Sequence, residues 1–290
     1  MSWRAWSAFA ALGIIWGIPY FLIKLAVAEI SPLVVAGGRI GLAACILLPI
    51  AWQRGALHGA GRHKAALCAF AVVEFVIPLS AIALGEQWIS SSSTGILIAT
   101  VPMSVVLLSG FFGLDEHLGL RRITGLVLGF VGVVALLGFG TIAGAPGWAG
   151  VGCMLSAAMG YALGPLIIQR YLGDVDSLGA LAACLLIAAV IMIIPAVLAL
   201  PKHWPSAAAV SSIAVLGILC TAVAMLLMFY LVNHAGASRA TLITYVNPAV
   251  ASLLGVLLLH ERLGAGGVVA LALILLGSWL ATHRPAGGRG

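Results

Sequence analysis

Glu74 is the one carboxylate set well inside an apolar stretch of this sequence, between Val72-Val73 and Phe75-Val76. An ionisable group in such surroundings is costly unless it is used, so it reads as a site for an organic ammonium group or a proton. A structural partnership with Arg39 is the competing reading, and Arg39 itself is read first as structural. Trp16, Tyr20 and Lys24 recur at intervals of four and share one helical face. Two aromatic rings there suit a flat apolar molecule, and Lys24 offers a charge for a carboxylate; an interfacial aromatic belt with a snorkelling lysine is the alternative. Thr241, Thr244, Tyr245, Pro248 and Ser252 form a second stripe at helical spacing. Hydroxyls on such a face look toward protein or water rather than hydrocarbon. Tyr161 and the adaptable methionines Met225 and Met228 are further lining candidates, with ordinary packing as their alternative.

Five prolines fall inside apolar stretches: Pro19, Pro78, Pro102, Pro165 and Pro248. Each removes a backbone donor, and the freed carbonyl needs a neighbour or a wet cavity. Pro78 reads as cavity lining and the other four as hinges, against static kinks filled by packing. Together these groups can hold a molecule, but they assemble no catalyst. The chain has no HExxH, no GxSxG and no His, Cys and Asp cluster at ligand spacing. An enzyme, a metal, a cofactor and an ATP-driven motor within this chain are therefore not expected. The five cysteines lie in apolar stretches without CxxC spacing and read as small buried hydrophobes.

The elements that position these residues follow from composition. Only 8% of residues are charged and 63% are hydrophobic, with mean hydropathy +1.20. That leaves too little polar surface for a soluble fold, so lipid is the solvent. Helices that cross it need about 20 apolar residues each. Apolar runs predict ten spans, at 5–28, 32–53, 65–86, 91–112, 118–139, 147–170, 177–200, 208–233, 238–259 and 264–283. Residues 1–28 are read as an uncleaved first span rather than a signal peptide, because Lys24 interrupts the pattern. Glu86, Gln87 and Trp88 fall at a span end and read as a solvated rim. With the N-terminus inside, ten Lys and Arg lie in inside segments against two outside, so both termini are expected in the cytoplasm. The net charge of +6 is scattered between spans, which fits an anionic lipid surface and not nucleic acid.

A shift of 146 residues lays Pro19 on Pro165, Lys24 on Arg170, Ser31 on Ser177, Pro49 on Pro195 and Pro102 on Pro248. One residue less lays Glu116-His117-Leu118-Gly119 on Glu261-Arg262-Leu263-Gly264, and Gly132 on Gly277. This is an internal repeat, with copies at 1–140 and 147–290. Each copy holds five spans, an odd number, so the second enters the membrane from the opposite side. The expected fold is thus an all-α polytopic membrane protein of ten transmembrane helices, two inverted five-helix repeats around a central cavity.

Trp16-Gly17, Arg39-x3-Ala43-x5-Pro49, Ala99-Thr100-Val101-Pro102, Asp115-Glu116-x-Leu118-Gly119 and Gly125, Gly129 and Gly132 occur in order, echoed by Asn247-Pro248, Glu261-x-Leu263-Gly264 and Gly277. Nearly the whole chain resembles the drug/metabolite transporter superfamily in its ten-span EamA-like branch, and within it looks most like the YddG-type amino-acid exporters. The resemblance implies a basket in which spans 1, 3, 4, 6, 8 and 9 line the cavity and spans 5 and 10 face lipid. It implies export of neutral and aromatic amino acids or related metabolites across a bacterial inner membrane. A proton-coupled exporter of multidrug cations is the alternative, with Glu74 as its carboxylate. The expected partners are a small-molecule substrate and membrane lipid; a monomer suffices, and an oligomer is left open. Green fluorescent protein fused to either terminus should fluoresce, since it matures in the cytoplasm. A dark but fully expressed fusion at either end would contradict the charge-based orientation.

Overall fold

The computed structural model describes residues 3–109, 119–138, 144–235 and 243–282. Among them every regular element is helical: α1 Trp3–Val27, α2 Pro32–Gln53, α3 Lys64–Gly85, α4 Ser91–Ser109, α5 Leu120–Gly138, α6 Gly144–Tyr171, α7 Ser177–Leu198, α8 Ala207–Ala235, α9 Ile243–Leu258 and α10 Ala265–Thr282. Eight of these, all but α5 and α9, are long and apolar enough to cross a membrane, and α9 is a shorter apolar helix. Helix α7 shows what solvent they are built for. It has the highest hydropathy of the set, yet only 33% of its most apolar window is buried. Ile193, Ile194 and Val197 lie on its open side, a face water would not tolerate.

With lipid outside, burial of oil gains little between helices, and close backbone packing holds them instead. Helix α5 lies along α10, where Gly125 and Gly129 meet Gly277. A methyl on Gly277 would sit 2.5 Å from the Gly129 nitrogen and 2.6 Å from the Gly125 carbonyl oxygen. Helices α2 and α7 pack through Ala36, Ala43, Ala44, Ala180, Ala182 and Ala188. Helix α1 presents Gly13 and Gly17 to Val246 and Val250 of α9, and α6 presents Gly160 and Gly164 to α3. The cysteines follow this packing only in part. Cys184 and Cys220 are buried, whereas Cys45 and Cys68 are exposed, because both stand on helix faces turned away from the neighbouring helices.

Three of the described helices are interrupted. In α3, Ala71–Val76 is a π-helical turn, and in α8 Ile218–Val223 is another. They begin 147 residues apart, within one residue of the offset that relates the two halves of the sequence. Pro78 cannot donate to the Glu74 carbonyl four residues back, and it sits in the first turn after the α3 π segment. In α8, the Thr221 hydroxyl donates at 2.9 Å to Leu216 O, five residues back, and so occupies a carbonyl in the widened turn. Helix α4 breaks between Ile98 and Val101. Ser278 of α10 donates to the freed Ala99 carbonyl at 2.9 Å and Thr100 Oγ1 donates to Leu97 O at 2.7 Å.

The helices have two ends: a terminal end, where Arg4 stands, and a far end, where α1 finishes. The far end is tied by charge. Lys24 Nζ donates to the Glu86 and Ile89 carbonyls at 2.5 and 2.8 Å, which fastens α1 to the end of α3. Glu261 accepts from Ser91 N at 2.7 Å, Ser92 N at 3.0 Å and Ser92 Oγ at 2.6 Å, and so caps the start of α4. It is aimed there by a turn in which His260 takes the left-handed φ of 54° and Glu261 N bonds back to Gly255 O. Glu29 accepts from Ser206 Oγ and N at 2.6 and 2.7 Å, ahead of α8, and these bonds hold its carboxyl below the ordinary carboxylate range. A depressed value means that this tie is present near neutrality and released as pH falls through the lowered titration. At the terminal end His63 meets Asp174 at 3.0 Å.

Gly277→Leu should lower the melting temperature in detergent, consistent with an overpacking cost of about 1–3 kcal/mol. Gly152→Leu, where nothing lies within 4 Å, should leave it unchanged; equal melting of the two variants would remove the α5–α10 contact as a source of stability.

Candidate functional site

The two π segments carry Glu74 and Thr221 at corresponding places, each the fourth residue of its segment. A π turn inserts one residue, so the side chains after it rotate by a fraction of a turn, a device found often at functional sites. Thr221 is reached from α2: Arg39 Nε donates to Thr221 Oγ1 at 2.7 Å. Arg39 is 9% exposed, and among the described residues no carboxylate lies within ion-pair distance of it. Its charge acts on Tyr20 of α1, Tyr161 of α6, Cys220 of α8 and Glu86. Tyr161 also acts on Tyr20, and it lies within reach of Glu74. Groups from α1, α2, α3, α6 and α8 thus converge, with a cation on one side and a carboxylate on the other.

Glu74 is held by its surroundings more than by a partner. Its Oε2 is buried with no hydrogen-bond partner. It lies against Gly164 of α6, where an added methyl would clash with it directly, and beside Phe70. Only a glycine at 164 leaves room for a carboxylate between α3 and α6. The competing reading, a Glu74–Arg39 pair, is not realised among the described residues.

The other residues singled out by sequence are distributed around this core. Tyr20 is 8% exposed and packs with Ile23 and Ile96; Tyr161 is partly buried and bridges two core clusters. Trp16 and Met228 are partly buried beside Leu12, Ala224, Leu231 and Ile243, on the terminal side of Tyr20. Met225 is partly buried against the cluster that contains Phe70 and Phe75. Pro78 packs against Gly160 of α6. Pro19, Pro165 and Pro248 lie inside unbroken helices, whereas Pro102 sits at the break in α4. On α9, the Tyr245 hydroxyl is 2.9 Å from Thr282 Oγ1 of α10. That is a bond between helices, the competing reading of this stripe. Thr244 is partly buried and also has a partner, and Thr241 lies outside the described residues. Asn247 would donate to Ile243 O at 3.0 Å and to Gly13 O of α1 at 3.3 Å with its amide oxygen and nitrogen exchanged, the orientation its neighbours favour.

Two expectations from the sequence change. Glu86 is not a solvated rim residue: it is 0% exposed, although Gln87 and Trp88 beside it are open. The loop that follows α3 folds inward under Lys24, a long-range contact with no local signal. Lys24 in turn neither snorkels nor waits for a ligand, because its ammonium is spent on two carbonyls. At the terminal end two depressions open. One of about 420 Å³ lies between α1 and α8, lined by Arg4, Ser7, Ala8, Ala11, Leu227 and Tyr230. The other, of about 440 Å³, lies between α3 and α6 and includes Arg62, His63, Lys64 and Tyr171. Among the described residues no group of His, Cys, Asp and Glu could hold a metal ion.

Thr221→Val should cost about 1–3 kcal/mol, because it strands a buried guanidinium N–H and a carbonyl together. Glu74→Gln removes no bond and should leave the melting temperature within error. Thermal unfolding in detergent compares the two, and a large loss in the Glu74 variant alone would mean that its charge is structurally paired.

Comparison with known proteins adds four findings. The model of the EamA-like transporter family matches the chain twice, over residues 4–138 and 148–282. The uncharacterized inner membrane transporter YedA of Escherichia coli (strain K12) is 29% identical over 298 residues, 96% of this chain and 93% of that protein. The uncharacterized transporter YoaV of Bacillus subtilis (strain 168) is 25% identical over 283 residues, 93% of each. A solved crystal structure superposes with a TM-score of 0.66 at 18% identity, covering 97% of both chains, a likeness of fold.

Proposed function

The chain belongs to the EamA-like transporter family, a group of multi-span membrane proteins, and from that premise we propose that it is a secondary transporter exporting small metabolites, foremost neutral and aromatic amino acids, across a bacterial inner membrane by alternating access. The observation that carries the substrate class is two interior groups without a counter-charge in ion-pair distance among the described residues, the Arg39 guanidinium and the Glu74 carboxyl, with Tyr161 in reach of both. An amino-acid zwitterion brings a carboxylate for the first, an ammonium for the second and a side chain for the ring. Each contact is charge-assisted and works away from water, where such bonds are strong.

The mechanism rests on two inverted five-helix repeats, ten spans in all, enclosing a central cavity. Support comes from the family match at 4–138 and again at 148–282. It comes also from π turns recurring near the offset of the sequence repeat. The pairing of α5 with α10, and of α2 with α7, joins equivalent helices of the two copies. Helices α1 and α8 are related by the same repeat to α6 and α3, and each pair borders a surface depression at the terminal end. The far end is meanwhile tied by Lys24, Glu261 and Glu29. This supports reading the structure as a form that would admit solute from the side of the termini, the side that the lysine and arginine distribution suggests is cytoplasmic. Exchange of the two halves' conformations would open the far end and release the solute there. The prolines at 19, 102, 165 and 248 are hinge candidates in that exchange, and Trp16, Pro78, Met228 and Thr244 are candidates to line its path.

The second reading is a proton-coupled exporter of organic cations, favoured by one fact, the unpartnered carboxylate oxygen of Glu74. A cationic Arg39 in the same interior repels such a substrate. Purified protein in liposomes should catalyse counterflow of labelled phenylalanine, tryptophan or leucine. Arg39→Gln and Glu74→Gln should each raise KM about tenfold or more, equivalent to roughly 1.4 kcal/mol of lost binding. Tetraphenylphosphonium transport that survives Arg39→Gln and disappears in Glu74→Gln would favour the second reading.

A further inference from the structure

Glu86 is the buried charge that neither reading uses. It follows the last residue of α3, at the far end, and is 0% exposed. Both carboxyl oxygens are buried, and neither has a hydrogen-bond partner. The groups that face it are committed elsewhere. Lys24 of α1 acts on it electrostatically, but its ammonium is bound to the backbone carbonyls of Glu86 and Ile89. Arg39 of α2 acts on it from the side of Thr221. Glu261, in the connection between α9 and α10, is satisfied by three donors of α4 and adds a like charge. Tyr20 of α1 is within reach of it, and Cys153 of α6 lies against the neighbouring Gly85.

An ionised carboxylate enclosed in this way, with no hydrogen-bond donor, costs several kcal/mol, a cost that the charges of Lys24 and Arg39 reduce and that of Glu261 increases. The carboxylic acid costs far less, and it does not repel Glu261. The enclosure is made by the same elements that close the far end: α1 through Lys24, the chain from 86 to 91, and the α9–α10 connection through Glu261. Opening that end would bring water to Glu86 and let it ionise; closing it again would require the proton back.

We propose that Glu86 is a proton-binding site which latches the far end: the end closes on the neutral acid and opens with the carboxylate. This rests on the alternating-access reading for its meaning in transport, but not for its test, which needs no substrate. With the far end outside the cell, external acid would favour the form open to the cytoplasm, and the site supplies the proton step that the Arg39 and Glu74 pair does not.

The test uses the full chain in lipid nanodiscs, its five native cysteines replaced by serine. Ile23→Cys, buried behind Lys24 at 2% exposure, reports opening, and Trp204→Cys, at 98%, reports intrinsic reagent reactivity. Labelling of the Ile23→Cys variant by a membrane-impermeant methanethiosulfonate, normalised to that of the Trp204→Cys variant, should rise about tenfold or more between acid and alkaline pH. Glu86→Gln, an uncharged stand-in for the acid, should hold labelling at the acid level throughout. It should also lose a protonated-carboxyl stretching band from the infrared spectrum at low pH and melt no lower than the parent. Labelling that ignores pH in the parent overturns the proposal, as does a Glu86→Gln variant that tracks the parent. So does a variant that fails to fold, since the closed end would then depend on the charged form. Replacing sodium by choline should change nothing; a sodium-dependent rise or fall would assign the site to the metal cation instead.

Discussion

Every backbone carbonyl freed from its helix in this molecule has to find a donor within the protein, because hydrocarbon offers none. The interrupted elements show how that demand is met. The break in α4 is served by Ser278 from α10 and by Thr100. The widened turn of α8 is served by Thr221. The end of α3 is served by the Lys24 ammonium, which takes two carbonyls at once. Each repair draws a side chain from another element, or commits one that would otherwise point to a neighbour. The polar residues of the bundle are therefore few, and most are already employed.

That economy gives meaning to the ones left over. Among the described residues, Arg39 keeps one bond, to Thr221, and has no counter-charge; Glu74 keeps none at Oε2; the Glu86 carboxyl keeps none at all. Exposed to water, such groups would be unremarked. Here their desolvation must be balanced by something that arrives, and the two regions differ in what suits them. The mid-bundle groups share Tyr161 as a neighbour and do not pair with each other among the described residues. The far-end carboxyl is wrapped by backbone and by groups already bonded, which leaves room for little beyond a proton. Packing by glycine and alanine makes both arrangements possible, since Gly164 yields its side-chain volume to Glu74.

Helix limits were legible in sequence to within a residue or two for α2, α3 and α7, because the apolar runs end at polar or glycine breaks that also end the helices. Pro78 pointed to a disturbance in α3, and the structure puts the π turn immediately before it. Nothing comparable marks α8: an inserted register residue leaves no trace in composition, and Thr221 reads like any hydroxyl on an apolar helix. Arg39 was visible as a matching position but its surroundings were not, since Tyr20, Tyr161 and Thr221 come from helices far apart in the chain. Glu86 was misjudged for the same reason. Distance along a helix sets depth in the membrane, whereas burial depends on what folds over the end. Tyr245 shared a face with other hydroxyls, yet its partner, Thr282, stands on another helix altogether.

The paired π turns bear a final implication. Two copies of one unit, perfectly alike, would make the two conformations of such a bundle equivalent by a two-fold rotation and equal in energy, and neither would be preferred at rest. Here the copies disagree at their corresponding turn. One holds a hydroxyl that is bonded on both sides, to Arg39 and to Leu216, and the other holds a carboxylate with an idle oxygen. The two halves therefore differ in bonding at the turn they share. The degeneracy is lifted before any ligand arrives, and the molecule carries its own direction of rest within an otherwise repeated design.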